Sequence, residues 1–174
     1  MRLPREARAD LARQLTAQLS SLGEVAALLE RAGLEYWLFG GWAVDFHAGR
    51  VTRPHDDVDF AVWADDADRI ANLLRVSGWS HAPEPDEDGG TGYERDGVRV
   101  ELTFLVRDGE GRTCIRLRAG AFPFAGGAFG AEVLELDGTR CRVVDRAALV
   151  AMKSDGRGDP DDDAKDASDV ATLS

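Results

Sequence analysis

The amino-acid sequence predicts an α+β (α/β) fold, in which helices flank a mixed, twisted β-sheet. Short apolar runs typical of strands alternate with segments of helical periodicity between Tyr36 and Gly78. Further along the chain, Asp96-Gly97 and Asp137-Gly138 separate apolar runs in the manner of tight β-hairpins. Alternating strands and helices followed by hairpins indicate a sheet covered by helices, and both ends of the chain have helical patterns.

Length and composition are typical of one globular unit. The chain has 174 residues, of which 44% are hydrophobic, an ordinary fraction for a globular protein. We therefore expect a single domain, with N-terminal helices over residues 1–33, a catalytic sheet core over residues 34–144 and C-terminal helices over residues 145–174.

The distribution of apolar residues bears on the compartment of the protein. No apolar run approaches the roughly 18 residues that a membrane helix needs, and the charged N-terminal segment lacks the apolar centre of a signal peptide. We expect a cytoplasmic protein without a membrane partner. Cys114 and Cys141 have no metal-ligand spacing, so we expect them to be buried, reduced thiols.

The formal net charge of −11 limits the classes of partner. Affinity for a nucleic-acid polymer comes mostly from basic surface, so we expect no nucleic-acid partner. An acidic field attracts cationic small molecules instead, although acidity in many proteins serves only solubility.

The first half of the chain predicts four helices and two strands. Apolar residues at helical spacing predict two N-terminal helices, over residues 5–19 and about 20–32, with Ser20-Ser21 ending the first and capping the second. Strands and helices then alternate, with strands predicted over 36–39 and 58–63 and helices over 42–47 and 67–76.

The second half predicts mainly strands, followed by two helices. Segment 83–92 is acidic and rich in glycine, and we interpret it as a mobile loop that is either a solvated connection or the rim of a substrate site. The remaining predicted elements are strands over 98–105, 113–117, 131–136 and 139–144, and helices over 146–153 and 164–173 joined by a flexible acidic link.

Asp57-x-Asp59 is the first candidate for chemistry. Side chains alternate along a strand, so these two carboxylates lie on one side while Val58 and Phe60 point to the other. Mg²⁺ takes oxygen ligands and is usually held by one or two carboxylates together with substrate phosphates. The pair is therefore a candidate site for a hard divalent cation, whereas an isolated Asp-x-Asp is more typical of a solvated turn.

Gly40-Gly41 is the second candidate. It lies between a predicted strand and a predicted helix, where backbone N–H groups can approach a phosphate and the helix dipole favours negative charge. A lone Gly-Gly is usually only a turn. The combination of strand, Gly-Gly, helix, basic loop and Asp-x-Asp favours a site for a metal and a nucleotide.

The segment from Gly40 to Phe60, GGWAVDFHAGRVTRPHDDVDF, resembles the small antibiotic nucleotidyltransferases of the polymerase-β-like superfamily, which adenylylate aminoglycosides or lincosamides. This resemblance implies a polymerase-β-like core. It also implies an Mg²⁺-dependent enzyme of antibiotic resistance, with two ions and a nucleoside triphosphate as co-substrate. The reaction implied is the transfer of a nucleoside monophosphate, AMP by preference, to a hydroxyl of the antibiotic.

The same resemblance assigns roles to residues. Asp57 and Asp59 match the metal-binding pair, and Glu101 matches a third acidic position that carries Asp in most relatives. Three roles for Glu101 stay open. It binds the metal directly, it acts on the metal through a water molecule, or it serves only as the base that takes the acceptor's proton. The residues implied to hold the triphosphate are Gly40, Gly41, Arg50, Arg53, His55 and Lys153.

Several alternatives stay open at this point. Similar small nucleotidyltransferases act as toxins or antitoxins that modify a protein or a tRNA, and a non-catalytic nucleotide-binding module is a further reading. The acidic segment before the strand of Glu101 favours an aminoglycoside, which carries several ammonium groups, over a lincosamide, which carries one amine. The protein is expected to be a monomer or a homodimer.

Overall fold

Five α-helices and nine β-strands make up the parts of the chain that the computed structural model describes, residues 4–155 and 159–174. The helices are α1 (Arg5–Arg31), α2 (Gly40–Ala48), α3 (Ala67–Val76), α4 (Arg146–Ser154) and α5 (Pro160–Leu173). The strands are β1 (Tyr36–Phe39), β2 (Val58–Trp63), β3 (Ser80–His81), β4 (Gly90–Arg95), β5 (Val98–Arg107), β6 (Thr113–Leu117), β7 (Gly120–Pro123), β8 (Val133–Leu136) and β9 (Thr139–Arg142).

The main sheet is mixed, as the sequence predicts. Its strands run in the order β1-β2-β5-β4-β3. Strand β6 pairs with the end of β5, and β7 pairs with β6, while β8 and β9 form a separate hairpin. Strand β2 is parallel to β5, and the other pairs in the sheet are antiparallel. The parallel pair forms the centre of the sheet and is the part that positions the acidic residues.

The hydrophobic core explains why β1 and β2 lie inside the fold. All four residues of β1 are buried, and Val58, Phe60 and Val62 of β2 have no exposed surface. They pack with α1, which contributes Leu22 among its buried residues. Strands that are buried in this way have a fixed register, because a slip by one residue would move every apolar side chain to the other face.

The N-terminal segment forms one helix, and the prediction of two is wrong. Helix α1 continues through Ser20-Ser21, and Ser21 itself is buried against the core. Serine costs only about half a kcal/mol relative to alanine inside a helix. Burial of Leu22, Val25 and Leu29 on one face outweighs that cost, so tertiary packing keeps the helix continuous.

The last helix begins four residues earlier than predicted. Pro160 occupies the first turn of α5, and the side chain of Asp159 caps it by accepting hydrogen bonds from the backbone N–H groups of Asp161 and Asp162. Proline suits the first turn because its missing N–H would have no partner there. The predicted acidic link between the helices therefore shortens, and residues 156–158 of it lie outside the described residues.

A further difference concerns the glycine-rich segment before β5. Gly90 and Gly92, which the sequence assigns to a loop, lie in β4 and pair with β5. A Cβ on Gly90 would lie 2.1 Å from the carbonyl oxygen of Leu102, so glycine permits the close approach of the two strands.

Cys114 and Cys141 are buried free thiols, as predicted.

None of the helices in the described residues combines the length and the hydropathy that crossing a bilayer requires.

Candidate active site

Gly40 lies at the point where β1 ends and α2 begins, directly beside Asp59. Its φ of +63° is in the left-handed region that favours glycine. A Cβ at this position would lie 2.1 Å from Oδ2 of Asp59. Glycine is therefore required both by the backbone conformation and by the position of the carboxylate. The first turn of α2 consequently approaches the acidic site without an intervening side chain.

Asp57 and Asp59 form the centre of the site. Asp59 is the second residue of β2 and lies opposite Phe39 of β1, while Asp57 immediately precedes the strand. The two side chains share a hydrogen bond. Desolvation, followed by the charges of Asp57 and Glu101, raises the pKa of Asp59 well above its ordinary value. Burial also raises the pKa of Asp57. The two groups together favour a shared proton or a cation.

Glu101 joins this pair from the neighbouring strand. In the parallel ladder between β2 and β5, Glu101 is the register partner of Asp59. Nε of Arg99 donates a hydrogen bond to its carboxylate, while Nη1 of the same arginine donates to the backbone oxygen of Ala82 at 2.9 Å and to Glu94 at 3.1 Å. Burial raises the pKa of Glu101 despite this arginine. The third carboxylate thus lies beside the pair but is engaged by a cation of the chain itself.

The donors fit a hard divalent cation. Within residues 4–155 and 159–174, no three side chains of Asp, Glu, His or Cys already surround a common point for a metal. The carboxylate of Glu101 is instead paired with Arg99. Two desolvated carboxylates that repel each other are nevertheless stabilised by a cation between them, and carboxylate oxygen is the ligand type that Mg²⁺ prefers.

A cavity of about 130 Å³, open to solvent, lies next to the aspartate pair. Its lining is mainly charged and comes from α2, the loop before β2, α4 and α5. The lining residues are Gly40, Gly41, Arg53, His55, Asp56, Asp57, Asp59, Lys153, Asp162, Lys165 and Asp166. Of the predicted site residues, Arg50 and Glu101 are absent from this lining, and Arg50 is exposed.

Arg53 and Lys153 reach the cavity, but carboxylates of α5 hold both. The guanidinium of Arg53 donates to both oxygens of Asp169, at 2.9 and 2.8 Å. Nζ of Lys153 lies 2.9 Å from Asp166 and 2.8 Å from Asp169. Burial raises the pKa of Asp169, yet the hydrogen bonds from Arg53 and Lys153 outweigh burial and hold that pKa below its ordinary value. The pairs attach α5 to the rest of the fold.

His55 is a buried residue that also organises the loop before β2. Its Nε2 lies 2.5 Å from Oδ2 of Asp45, and its backbone oxygen accepts a hydrogen bond of 2.9 Å from Gln18. The ring of Trp42 packs against the imidazole with centroids 4.8 Å apart. Its Nδ1 lies 3.2 Å from Arg53. These contacts connect α2, α1 and the cavity through one side chain.

Four residues of the cavity lining were not among the predicted site residues, namely Asp56, Asp162, Lys165 and Asp166. Asp166 fixes the last helix, since it binds the buried Lys153. The available signal was composition, because the chain contains only two lysines, Lys153 and Lys165, among 21 basic residues.

Sequence comparison identifies relatives among aminoglycoside nucleotidyltransferases. One relative, a 2''-aminoglycoside nucleotidyltransferase of Klebsiella pneumoniae, is 31% identical over 71 residues, which are 41% of this chain and 40% of that protein. Another of the same description, from Escherichia coli, is 43% identical over 44 residues, 25% of each chain. The matched segments thus span less than half of the length of these curated relatives.

Solved structures show the same fold. ANT(2'')-Ia in complex with adenylyl-2''-tobramycin superposes with a TM-score of 0.70 at 20% identity, over 90% of this chain and 87% of that one. The lincomycin-bound lincosamide adenylyltransferase LnuA gives 0.65 at 18% identity, over 92% and 94%. The predicted α+β nucleotidyltransferase fold is therefore confirmed. The model of the aminoglycoside-2''-adenylyltransferase family matches residues 21–169, and the chain belongs to that family.

Proposed function

We propose that this protein is a nucleotidyltransferase that moves AMP from ATP to a hydroxyl of an aminoglycoside, with Mg²⁺ bound by its acidic residues. The observation that carries the proposal is the pair Asp57 and Asp59 beside the first turn of α2, with Glu101 in register with Asp59 on the neighbouring strand. Family membership supports the reaction, and the descriptions of the relatives favour the 2''-hydroxyl as acceptor. The consequence for the cell is resistance to the antibiotic.

Asp57 and Asp59 would hold the metal, since both lie at the cavity and face each other. Bound divalent cations neutralise the charge of the triphosphate and stabilise the attacking and leaving oxygens. Gly40 and Gly41 line the cavity in the first turn of α2, where the helix dipole favours a phosphate. The buried ion pairs of Arg53 and Lys153 fix the wall of the cavity.

Glu101 is the group that would complete the reaction. The acceptor oxygen forms a bond to the α-phosphorus, the bond to pyrophosphate breaks, and the hydroxyl proton passes to a base. Glu101 has a raised pKa and lies in register with Asp59, which suits a group that takes this proton or binds a second cation. Its carboxylate must turn from Arg99 toward the cavity for either role.

The surroundings of Arg99 suit a polycationic acceptor. Carboxylates of Glu84, Glu87, Glu94 and Glu101 all lie within 4 Å of its guanidinium, at up to 3.9 Å. They outnumber the guanidinium four to one, so the cluster keeps a negative field next to Glu101. Such a field attracts a molecule with several ammonium groups more strongly than one with a single amine.

Pyrophosphate release with tobramycin and with lincomycin as acceptors tests the proposed function. We expect release with tobramycin, ATP and Mg²⁺, and none when EDTA removes the metal. The Michaelis constant for tobramycin should rise with ionic strength, because salt screens exposed charges. Modification of lincomycin alone would overturn the acceptor assignment. Release with neither acceptor, or equal release in EDTA, would contradict the proposed reaction.

The variant Glu101→Gln should lower kcat by about 100-fold, because removal of a general base typically has an effect of this order or larger. The Michaelis constant for ATP should change little, since Glu101 does not line the nucleotide cavity in this structure. Glu135→Gln, at an exposed strand position of β8, is the matched control and should keep full activity. Normal turnover of the Glu101 variant would assign the base to another residue.

A further inference from the structure

Lysine is almost absent from this protein, and its two lysines lie at the same place. Of 21 basic residues, only Lys153 and Lys165 are lysines, and both line the cavity beside the aspartate pair. Lysine presents a compact charge with three freely oriented donors, whereas arginine presents a planar fork. A compact cation suits a phosphate oxygen in a narrow, charged cavity.

The environments of the two lysines differ sharply. The side chain of Lys153 is 1% exposed, and its partners Asp166 and Asp169 are 3% and 1% exposed. Ion pairs in such surroundings do not exchange readily, because separating them would leave an uncompensated buried charge. Lys153 therefore stays with α5, and Arg53 stays with Asp169 for the same reason.

Lys165 has partners that solvent already surrounds. Its side chain is 44% exposed, and its Nζ lies 3.0 Å from Asp56, which is 82% exposed. Its second neighbour, Asp162, lies at 3.8 Å and is 41% exposed. Exposed pairs of this kind contribute little to stability and are screened by water. Among the three basic side chains of the cavity lining, Lys165 is the one that can change partner at low cost.

We propose that Lys165 leaves Asp56 and binds the phosphates of the incoming triphosphate, and so serves as the exchangeable cation of the nucleotide site. This inference rests on the proposed function and adds a residue that was not among the predicted site residues. Five aspartates line the cavity against Arg53 and the two lysines, so a triphosphate enters a region already rich in negative charge. A cation that moves from an aspartate to the phosphate relieves that repulsion.

Amine labelling tests the contact directly. An amine-reactive acetylating reagent should modify Lys165 in the free protein and leave the buried Lys153 unmodified, as peptide mass spectrometry can measure. Saturating ATP with Mg²⁺, without acceptor, should slow the labelling of Lys165 by about ten-fold or more, because the amine then donates to phosphate. An unchanged labelling rate, at a nucleotide concentration at which calorimetry shows saturation, would overturn the inference.

Two variants separate phosphate binding from loss of the ion pair. Lys165→Gln and Asp56→Asn both remove the pair with Asp56, and both should keep the melting temperature near that of the wild type. Lys165→Gln should raise the Kd for ATP with Mg²⁺ by about ten-fold, the loss of one charge-assisted hydrogen bond. Asp56→Asn should leave the Kd equal or lower it, because it frees Lys165.

The outcomes distinguish the two proposals. If the wild type binds ATP with Mg²⁺ but Lys165→Gln binds it equally well, the Lys165 inference fails and the proposed function stands. If both variants weaken binding alike, the ion pair matters and the phosphate contact is refuted. If the wild type binds no ATP, the proposed function fails and the inference falls with it.

Discussion

Replacing Asp59 with asparagine should lower nucleotidyl transfer by about three orders of magnitude or more, because a bound metal supplies several kcal/mol of transition-state stabilisation. Asp59 lies at the centre of the site, next to Gly40 and Asp57 and in register with Glu101 on the neighbouring strand. Asparagine has the same shape, so it fits against Gly40, but it carries no charge to bind a divalent cation. The measurement is kcat with tobramycin, ATP and Mg²⁺.

The same variant should keep its stability. In the metal-free protein Asp59 is desolvated and repelled by Asp57 and Glu101, so a neutral side chain removes an unfavourable interaction. We expect the melting temperature of Asp59→Asn without metal to equal or exceed that of the wild type. Mg²⁺ with ATP should raise the melting temperature of the wild type and leave that of the variant unchanged, since only the wild type binds the metal.

Asp68→Asn, at an exposed position in the first turn of α3, provides the matched control and should change neither activity nor stability substantially. A strongly lowered melting temperature of metal-free Asp59→Asn would show that the carboxylate supports the fold. Retained turnover would show that Asp59 does not bind an essential metal.

Replacing Asp169 with asparagine should lower the free energy of unfolding by about 3–5 kcal/mol at neutral pH, the usual effect of removing one partner from a buried ion pair. Asp169 is 1% exposed and binds both Arg53 and Lys153, two basic residues that attach α5 to the fold. Neither cation can reach solvent fully without movement of the helix. Urea denaturation of the variant and the wild type at pH 7 measures the difference.

The difference should depend on pH in a defined direction. The pKa of Asp169 is raised by burial but is held below its ordinary value overall by hydrogen bonds from Arg53 and Lys153. A lowered pKa in the folded state contributes stability above the unfolded pKa of about 3.9, and this stability is lost as pH falls through the folded value. The wild type and the variant should therefore become similar in stability at strongly acidic pH, where Asp169 is protonated.

The control for this prediction is Asp161→Asn, an exposed aspartate in the first turn of the same helix, where a favourable helix-dipole interaction is worth up to about 1 kcal/mol. The change in the free energy of unfolding caused by Asp161→Asn should therefore not exceed about 1 kcal/mol. If Asp169→Asn lowered the free energy of unfolding at pH 7 no more than this control does, the attachment of α5 would depend on apolar contacts and not on the buried charges.

Much of the site was predictable because its parts are local. Asp57 and Asp59 are two residues apart at the start of a strand, and alternation in a strand places such residues on one side. Glu101 required one further condition, that its strand be a neighbour of β2. The structure meets this condition with a parallel ladder that aligns Asp59 with Glu101. The function of these residues stays a prediction that the variants above test.

The partner of each basic residue was not predictable. Arg53 was expected at a phosphate, but it binds Asp169, 116 positions further along the chain. Arg99, which no pattern singled out, occupies the carboxylate of Glu101. Local propensity also failed at Ser20-Ser21, where burial of the neighbouring apolar residues keeps α1 continuous.

The sequence by itself determined the family, the mixed sheet between helices and the spacing of the aspartate pair, because these depend on residue type and on short-range periodicity. The tertiary structure alone decided which cations are fixed and which can move. The docking of α5 buries Lys153 between Asp166 and Asp169 but leaves Lys165 at the open side of the cavity. A charge binds whichever opposite charge packing brings within reach, and its burial sets the cost of release.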